Sequence, residues 1–130
     1  MEEPIFHHLA NGPSPVAPYS HAVSTGDFIF LTGQLPTGED CDPIPDSIED
    51  QTHKVMANLN TVLEGCNSRL ANVVSVRIFL TMFEEEYERM NAVYETYFPE
   101  DRRPARTTVG VTALARGCRV EIDLIAIRGD

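Results

Sequence analysis

The 130-residue chain predicts a single α+β domain in which one β-sheet carries two helices on one face. Three observations lead there. Two segments, Ser47 to Glu64 and Glu84 to Phe98, repeat apolar residues at helical spacing. Short β-branched runs surround them, giving the order strands, helix, strand, helix, two strands. The last run, VEIDLIAI from Val120 to Ile127, is apolar on both faces, so the sheet needs cover on its second side too. No repeat or low-complexity tract divides the chain. Its length suffices to bury roughly two thirds of the surface an unfolded chain exposes.

Taken in order, the first strands are Ala22-Val23-Ser24 and Asp27 to Leu31, with Thr25-Gly26 marking the turn of a hairpin. Thr37 to Pro45 is a polar loop, and Asp46 with Glu49 three residues later resembles a capping box with Asp46 as N-cap. The first helix, Ser47 to Glu64, aligns Ile48, Val55, Met56, Leu59, Val62 and Leu63 on one side, and Gly65 is its stop signal. Val73 to Leu80, VVSVRIFL, predicts a strand. Glu84, Glu85 and Glu86 suit the positive end of a helix dipole. Tyr87, Met90, Tyr94, Tyr97 and Phe98 then form the stripe of a second helix ending before Pro99. Ala105 to Leu114 and Cys118 to Ile127 predict a closing hairpin turning around Ala115, Arg116 and Gly117. The uncovered sheet face is expected to meet water or another copy of the chain, and the apolar last strand favours partner subunits.

Composition narrows the function. Ten basic residues against 20 acidic ones give a formal net charge of -10, which argues against phosphate backbones and anionic membranes as partners. No run approaches the ~20 apolar residues of a membrane span, and Met1-Glu2-Glu3 opens on acids rather than a basic leader. The expectation is a cytoplasmic protein binding neither nucleic acid nor membrane. Cys41, Cys66 and Cys118 are odd in number and far apart, and His7, His8, His21 and His53 show no ligand spacing, so no metal or disulfide is indicated. Lys54, the sole lysine, stands beside Gln51, Thr52 and His53 on what reads as a water-facing side, a poor setting for Schiff-base chemistry.

Arg102, Arg103 and Arg106 gather in RRPARTT. Arg102 and Arg103 adjoin Glu100 and Asp101 and read as solvated loop charges. Arg106 starts a strand and shares a small, polar face with Thr108, Gly110 and Thr112, a setting in which a guanidinium fork suits a carboxylate. A pair with a surface carboxylate such as Asp123 is the other reading. Glu121 lies within the most apolar strand, so it is either paired, with Arg119 or Arg77, or poised as a general base or acid with a raised pKa. In a hairpin centred on Arg116, Glu121 falls opposite Val111, about 16 Å from Arg106. A site using both residues would then lie between subunits. Tyr19 reads as a packed loop aromatic or a ligand group, Asn91 as a backbone anchor or a polar lining, and Gly33 as a bulge or a close approach to ligand.

Pro18-Tyr19-Ser20, Ala22-Val23, TGQLP from Thr32 to Pro36, Gln51-Thr52, Asn91 with Tyr94 and Phe98, PART from Pro104 to Thr107, and Val120-Glu121-Ile122 span nearly the whole chain. In this order they resemble the RidA (YjgF) family of reactive intermediate deaminases. The resemblance implies a chorismate-mutase-like α+β subunit, a mixed sheet of about six strands in the order β-β-β-α-β-α-β-β, and a homotrimer with ligand clefts between subunits. It implies that Arg106 holds a substrate carboxylate, that Glu121 positions or activates water, and that Tyr19, Gly33, Asn91 and Thr108 line the same cleft. Thr108 stands where many relatives carry Cys, Ala17 where they carry Gly, His21 where they carry Gln, and Ala115 where Pro is common. The implied reaction is hydrolysis of 2-imino acids, such as 2-iminobutanoate and 2-iminopropanoate, and of their enamines to 2-oxo acids and ammonia, without metal or organic cofactor. Two further readings are a dedicated deaminase for a larger enamine such as 2-aminomuconate, and a non-catalytic trimer that binds small carboxylates. The endoribonuclease activity attributed to some relatives fits the acidic charge poorly.

Overall fold

The chain runs β1 (Ile5–His7), β2 (Ala22–Thr25), β3 (Phe28–Gln34), α1 (Ile48–Gly65), β4 (Val73–Leu80), α2 (Phe83–Tyr94), β5 (Ala105–Gly110) and β6 (Val120–Ile127). A computed structural model describes residues 3–15, 17–38 and 42–129, so Cys41 and the middle of the loop before α1 lie outside the described residues. The hairpin of β2 and β3 sets Thr25 opposite Phe28, with Gly26 at φ +56°, a conformation glycine adopts without strain.

Helix α1 begins one residue later than the capping pattern suggests. Ser47, not Asp46, is the N-cap, its hydroxyl accepting the Asp50 N–H at 3.0 Å. Asp46 gives its backbone carbonyl to Arg119, and Glu49 grips Arg89 of α2 instead of closing a capping box. Serine caps as well as aspartate, so the extended Ser47 takes the role. The left-handed residue after the helix is Asn67 at φ 58°. Gly65 instead makes room for Leu9, against which a Cβ would press. Gln51 and Thr52 are not on a water-facing side: they are 1% and 0% exposed, and Lys54 is half-buried. Burial is tolerated because both are bonded: Gln51 to the Pro45 carbonyl and the Arg119 N–H, Thr52 to the Ile48 carbonyl. Helix α2 stops at Tyr94, and a 3-10 turn over Glu95–Tyr97 carries the stripe to an extended Phe98 before Pro99.

The strands form one sheet in the order β1-β2-β3-β6-β4-β5. The expected closing hairpin does not exist. β5 stops at Gly110 and pairs in parallel with β4, whereas β6 runs antiparallel between β3 and β4. The cause is the helical connection: β4-α2-β5 is a crossover unit, which lays its two strands parallel and side by side. The chain then leaves the edge through a 3-10 turn, Ala115–Gly117, with Arg116 at φ 60° and Gly117 at φ 70°. β6 returns to the gap between β3 and β4, where Val120, Ile122, Leu124 and Ala126 are buried on the helix side and Ile125 and Ile127 lie on the other.

Both helices cover one face, α1 over β3 and β6 and α2 against α1 and β4. Ile48, Leu59 and Leu63 of α1 meet Ile29, Ile78, Leu80 and Ile122 of the sheet in the core, each burial worth about 1.5–3 kcal/mol. The other face is open. Phe28 and Phe30, opposite Ile127 and Ile125, form its apolar centre, and Phe28, Phe30 and Ile127 are 47%, 44% and 38% exposed.

Candidate functional site

The register places the site residues on two sides of the sheet. Arg106 pairs with Val76, which points into the core, so its side chain lies on the helix face. There its Nη2 donates to the Tyr87 hydroxyl at 3.1 Å, and its guanidinium lies 5.0 Å from the Tyr94 ring centre and 5.8 Å from that of Tyr87. Thr108 follows two residues along the same face, and Asn91 lies on the α2 stripe between the two tyrosines. Thr112 lies beyond the end of the strand. Asn91 Oδ1, the Tyr94 hydroxyl and Thr108 Oγ1 are all buried without a hydrogen-bond partner. Asn91 therefore anchors no backbone through that oxygen. Burial pushes the Tyr94 hydroxyl up to about 12, although Arg106 and Arg103 pull it down, so it stays protonated.

Arg106 is not paired with Asp123. Asp123 takes both hydrogen bonds of Arg77, at 3.0 and 2.7 Å, on the open face. The ion pairs among the described residues occupy Arg77, Arg89 and Arg119, and none involves Arg106 or Glu121. Arg119 instead holds the buried Glu86 of α2. Arg102 is exposed as expected, yet its guanidinium also ties the loop before β5 to the Ala71 carbonyl.

Glu121 pairs with Phe79 and faces the open side, half-buried. Burial first, and then the Asp123 charge, push its carboxyl above the ordinary value of 4.5. A raised pKa makes the carboxylate a better proton acceptor than an ordinary glutamate. A bulge between Leu31 and Gln34 brings Gly33 against it, and a Cβ at Gly33 would run into the Glu121 carboxylate. Tyr19, 37% exposed, borders a small hollow with Gly33, His21 and Leu35. His21 is structural: its Nδ1 accepts the Leu9 N–H at 2.9 Å and its Nε2 meets the Pro13 carbonyl at 2.7 Å.

The chain thus assembles two groups, Tyr19 with Gly33 and Glu121, and Asn91 with Arg106 and Thr108, without bringing them together. A hollow of about 620 Å³ between Asp27, Cys66, Asn67, Ile127, Arg128 and Gly129 contains none of these residues. Burial raises both described thiols, Cys66 and Cys118, which disfavours thiolate chemistry. Among the described residues no three His, Cys, Asp or Glu side chains converge as a metal site. No helix among the described residues is long and apolar enough to cross a membrane. The sequence reading missed Tyr87 and Tyr94 as neighbours of Arg106, since at helical spacing they read as core. The signal available was their hydroxyls, which buried core positions disfavour unless a partner is near.

The fold and sequence match known proteins. A family model described as Endoribonuclease L-PSP matches residues 9–128. A RutC family protein of Pyrococcus horikoshii is 37% identical over 98% of this chain and 99% of its own length. The crystal structure of a Rid family protein, YyfA of Yersinia pestis, superposes with a TM-score of 0.89 at 33% identity, covering 96% of this chain and 99% of that one. The YjgF gene product of E. coli gives a TM-score of 0.86 at 25% identity, covering 95% and 98%. The element order, the two-helix sheet and these matches together make the chain a member of the RidA/YjgF family.

Proposed function

We propose that this chain is a cofactor-independent deaminase, cytoplasmic and homotrimeric, that hydrolyses 2-imino acids and their enamines to 2-oxo acids and ammonia. Arg106 of one subunit and Glu121 of its neighbour would face a common cleft. One observation carries the reading: a guanidinium and a carboxylate, both partly withdrawn from water, are left unpaired while Arg77, Arg89 and Arg119 all have carboxylate partners. Leaving buried charge unpaired costs several kcal/mol unless a ligand or a function uses it. The open apolar face supports assembly, since a partner copy would cover Phe28, Phe30, Ile125 and Ile127. β5 is an edge strand, so Arg106 stands at the border of the sheet where a second chain can reach it.

The chemistry needs no redox change. The substrate carboxylate rests on the Arg106 fork, which holds the iminium carbon in place. Glu121 takes a proton from water as the water oxygen bonds to that carbon. It gives the proton to nitrogen in the resulting carbinolamine, the C–N bond breaks, and the hydroxyl proton departs with the amine as ammonium. Such imines hydrolyse unaided in water, so orientation and one proton shuttle suffice. The larger relative of this substrate class, an enamine such as 2-aminomuconate, would use the same two residues.

Ammonia release from freshly generated 2-iminobutanoate tests the proposal: wild type should exceed background, with Arg106→Ala and Glu121→Gln close to it. Equal release by wild type and Arg106→Ala would defeat the enzyme reading and leave a carboxylate-binding trimer, which titration with 2-oxobutanoate would identify. The description of the family model adds RNA cleavage as a further assay. A net charge of -10 speaks against it, and cleavage that survives repurification but is lost in Glu121→Ala would reverse that judgement.

A further inference from the structure

We infer that Tyr87 is a positioning residue for Arg106, fixing its guanidinium in the orientation that receives a carboxylate; this rests on the carboxylate-clamp reading of Arg106. An arginine side chain has several rotatable bonds, and an unheld one spends most of its time misaligned with any ligand. Here the Tyr87 hydroxyl accepts one N–H from Nη2 at 3.1 Å, and the Tyr94 ring lies 5.0 Å from the guanidinium. One of five N–H donors is thereby engaged, and four remain. The remaining donors still include a parallel pair for a bidentate grip.

Tyr87 is itself held. Its ring stacks on Phe83 at 4.8 Å with an interplanar angle of 24°. Phe83 in turn packs against Gly110, where a Cβ would come within 3.2 Å of the Phe83 Cβ. Strand β5 thus supplies both the arginine and, four residues later, the glycine that seats the holder of that arginine. Tyr94 cannot replace Tyr87: its hydroxyl is buried without a partner, and it offers Arg106 a ring face rather than an acceptor.

Tyr87→Phe deletes only the hydroxyl and leaves the stack on Phe83. The experiment measures 2-oxobutanoate affinity by calorimetry and 2-iminobutanoate turnover for wild type, Tyr87→Phe, Arg106→Ala and the double variant, with melting curves for each. Expected are an affinity loss of about 3- to 10-fold and an equal rise in KM for Tyr87→Phe, with kcat within about twofold. The melting midpoint should not move, and Tyr87→Phe should have no effect once Arg106 is Ala. Wild-type affinity in Tyr87→Phe, or a loss that persists in the Arg106→Ala background, overturns the inference while leaving the clamp intact. Wild-type affinity in Arg106→Ala overturns the clamp reading itself, and the positioning role with it.

Discussion

Arg106 and Glu121 project from opposite faces of the same sheet. They are tied to β4 at Val76 and Phe79, which lie three residues apart and therefore point to opposite sides. Three residues of strand and two strand spacings separate their Cα atoms by about 14 Å. That relationship, rather than the spacing along a hairpin, makes a shared site within one chain impossible, and it leads to the first expectation.

Assembly and activity should fail together. Ile125→Glu, at the centre of the open face, should turn the proposed trimer into monomers by light scattering and abolish the proposed ammonia release. Ala57→Glu on the exposed side of α1 should change neither. A monomeric but active wild type would remove the intersubunit site altogether.

If Arg106 clamps a carboxylate as proposed, its planar fork should matter as well as its charge. Arg106→Lys keeps a cation but loses the parallel donors and the Tyr87 geometry, so KM for 2-iminobutanoate should rise about 10-fold or more with kcat less affected. A wild-type KM in the Lys variant would mean that charge alone suffices.

The raised Glu121 pKa should show in stability against pH and, under the proposed role as base, in rate as well. As a base the carboxylate works when ionised, so the rate should rise with pH through a midpoint above 4.5. The folded chain holds this proton more tightly than the unfolded chain, so the associated stability is present below 4.5 and lost as pH rises through the folded value. Glu121→Gln removes that loss, and its melting advantage over wild type should be larger at pH 7 than at pH 4. Asp123→Asn withdraws a like charge and should move the rate midpoint down, whereas Arg77→Gln uncovers Asp123 and should move it up. An unmoved midpoint in both variants would place the titrating group elsewhere.

Gly33 should tolerate no side chain. In Gly33→Ala the new methyl runs into the Glu121 carboxylate, so activity should drop at least 10-fold while the fold persists, because the clash falls on a side chain that can rotate away. Normal turnover by Gly33→Ala would show that Glu121 can work from another position.

Two ion pairs between elements should differ in weight. Arg119 meets a nearly buried Glu86, and Glu86→Ala should cost about 2–3 kcal/mol by denaturant unfolding because it strands a guanidinium and frees α2 from the segment leading into β6. Glu49→Ala, whose pair with Arg89 is exposed, should have a much smaller effect. Comparable losses would show that the burial of Glu86 contributes little.

Local patterns in the chain were enough to read its elements and the chemistry they can carry. Periods of 3.6 and 2 are local properties, so α1, α2 and β4 could be read within a few residues, and Arg106 and Glu121 stood out because charge among small or apolar neighbours needs a reason. Strand order was not legible. The choice of β4 over β6 as the neighbour of β5 depends on the crossover through α2 and on pairing both edges of β6, with β3 and β4, which are properties of the whole sheet. Ser47 displaced Asp46 as a cap, and Gln51 and Thr52 went inside, because distant groups such as Arg119 supplied the hydrogen bonds. That the arginine and the glutamate face opposite ways, and that two tyrosines flank the arginine, follows from the assembled sheet and helix. Pairing register between strands far apart in the chain sets which face each side chain meets, and no local pattern encodes it.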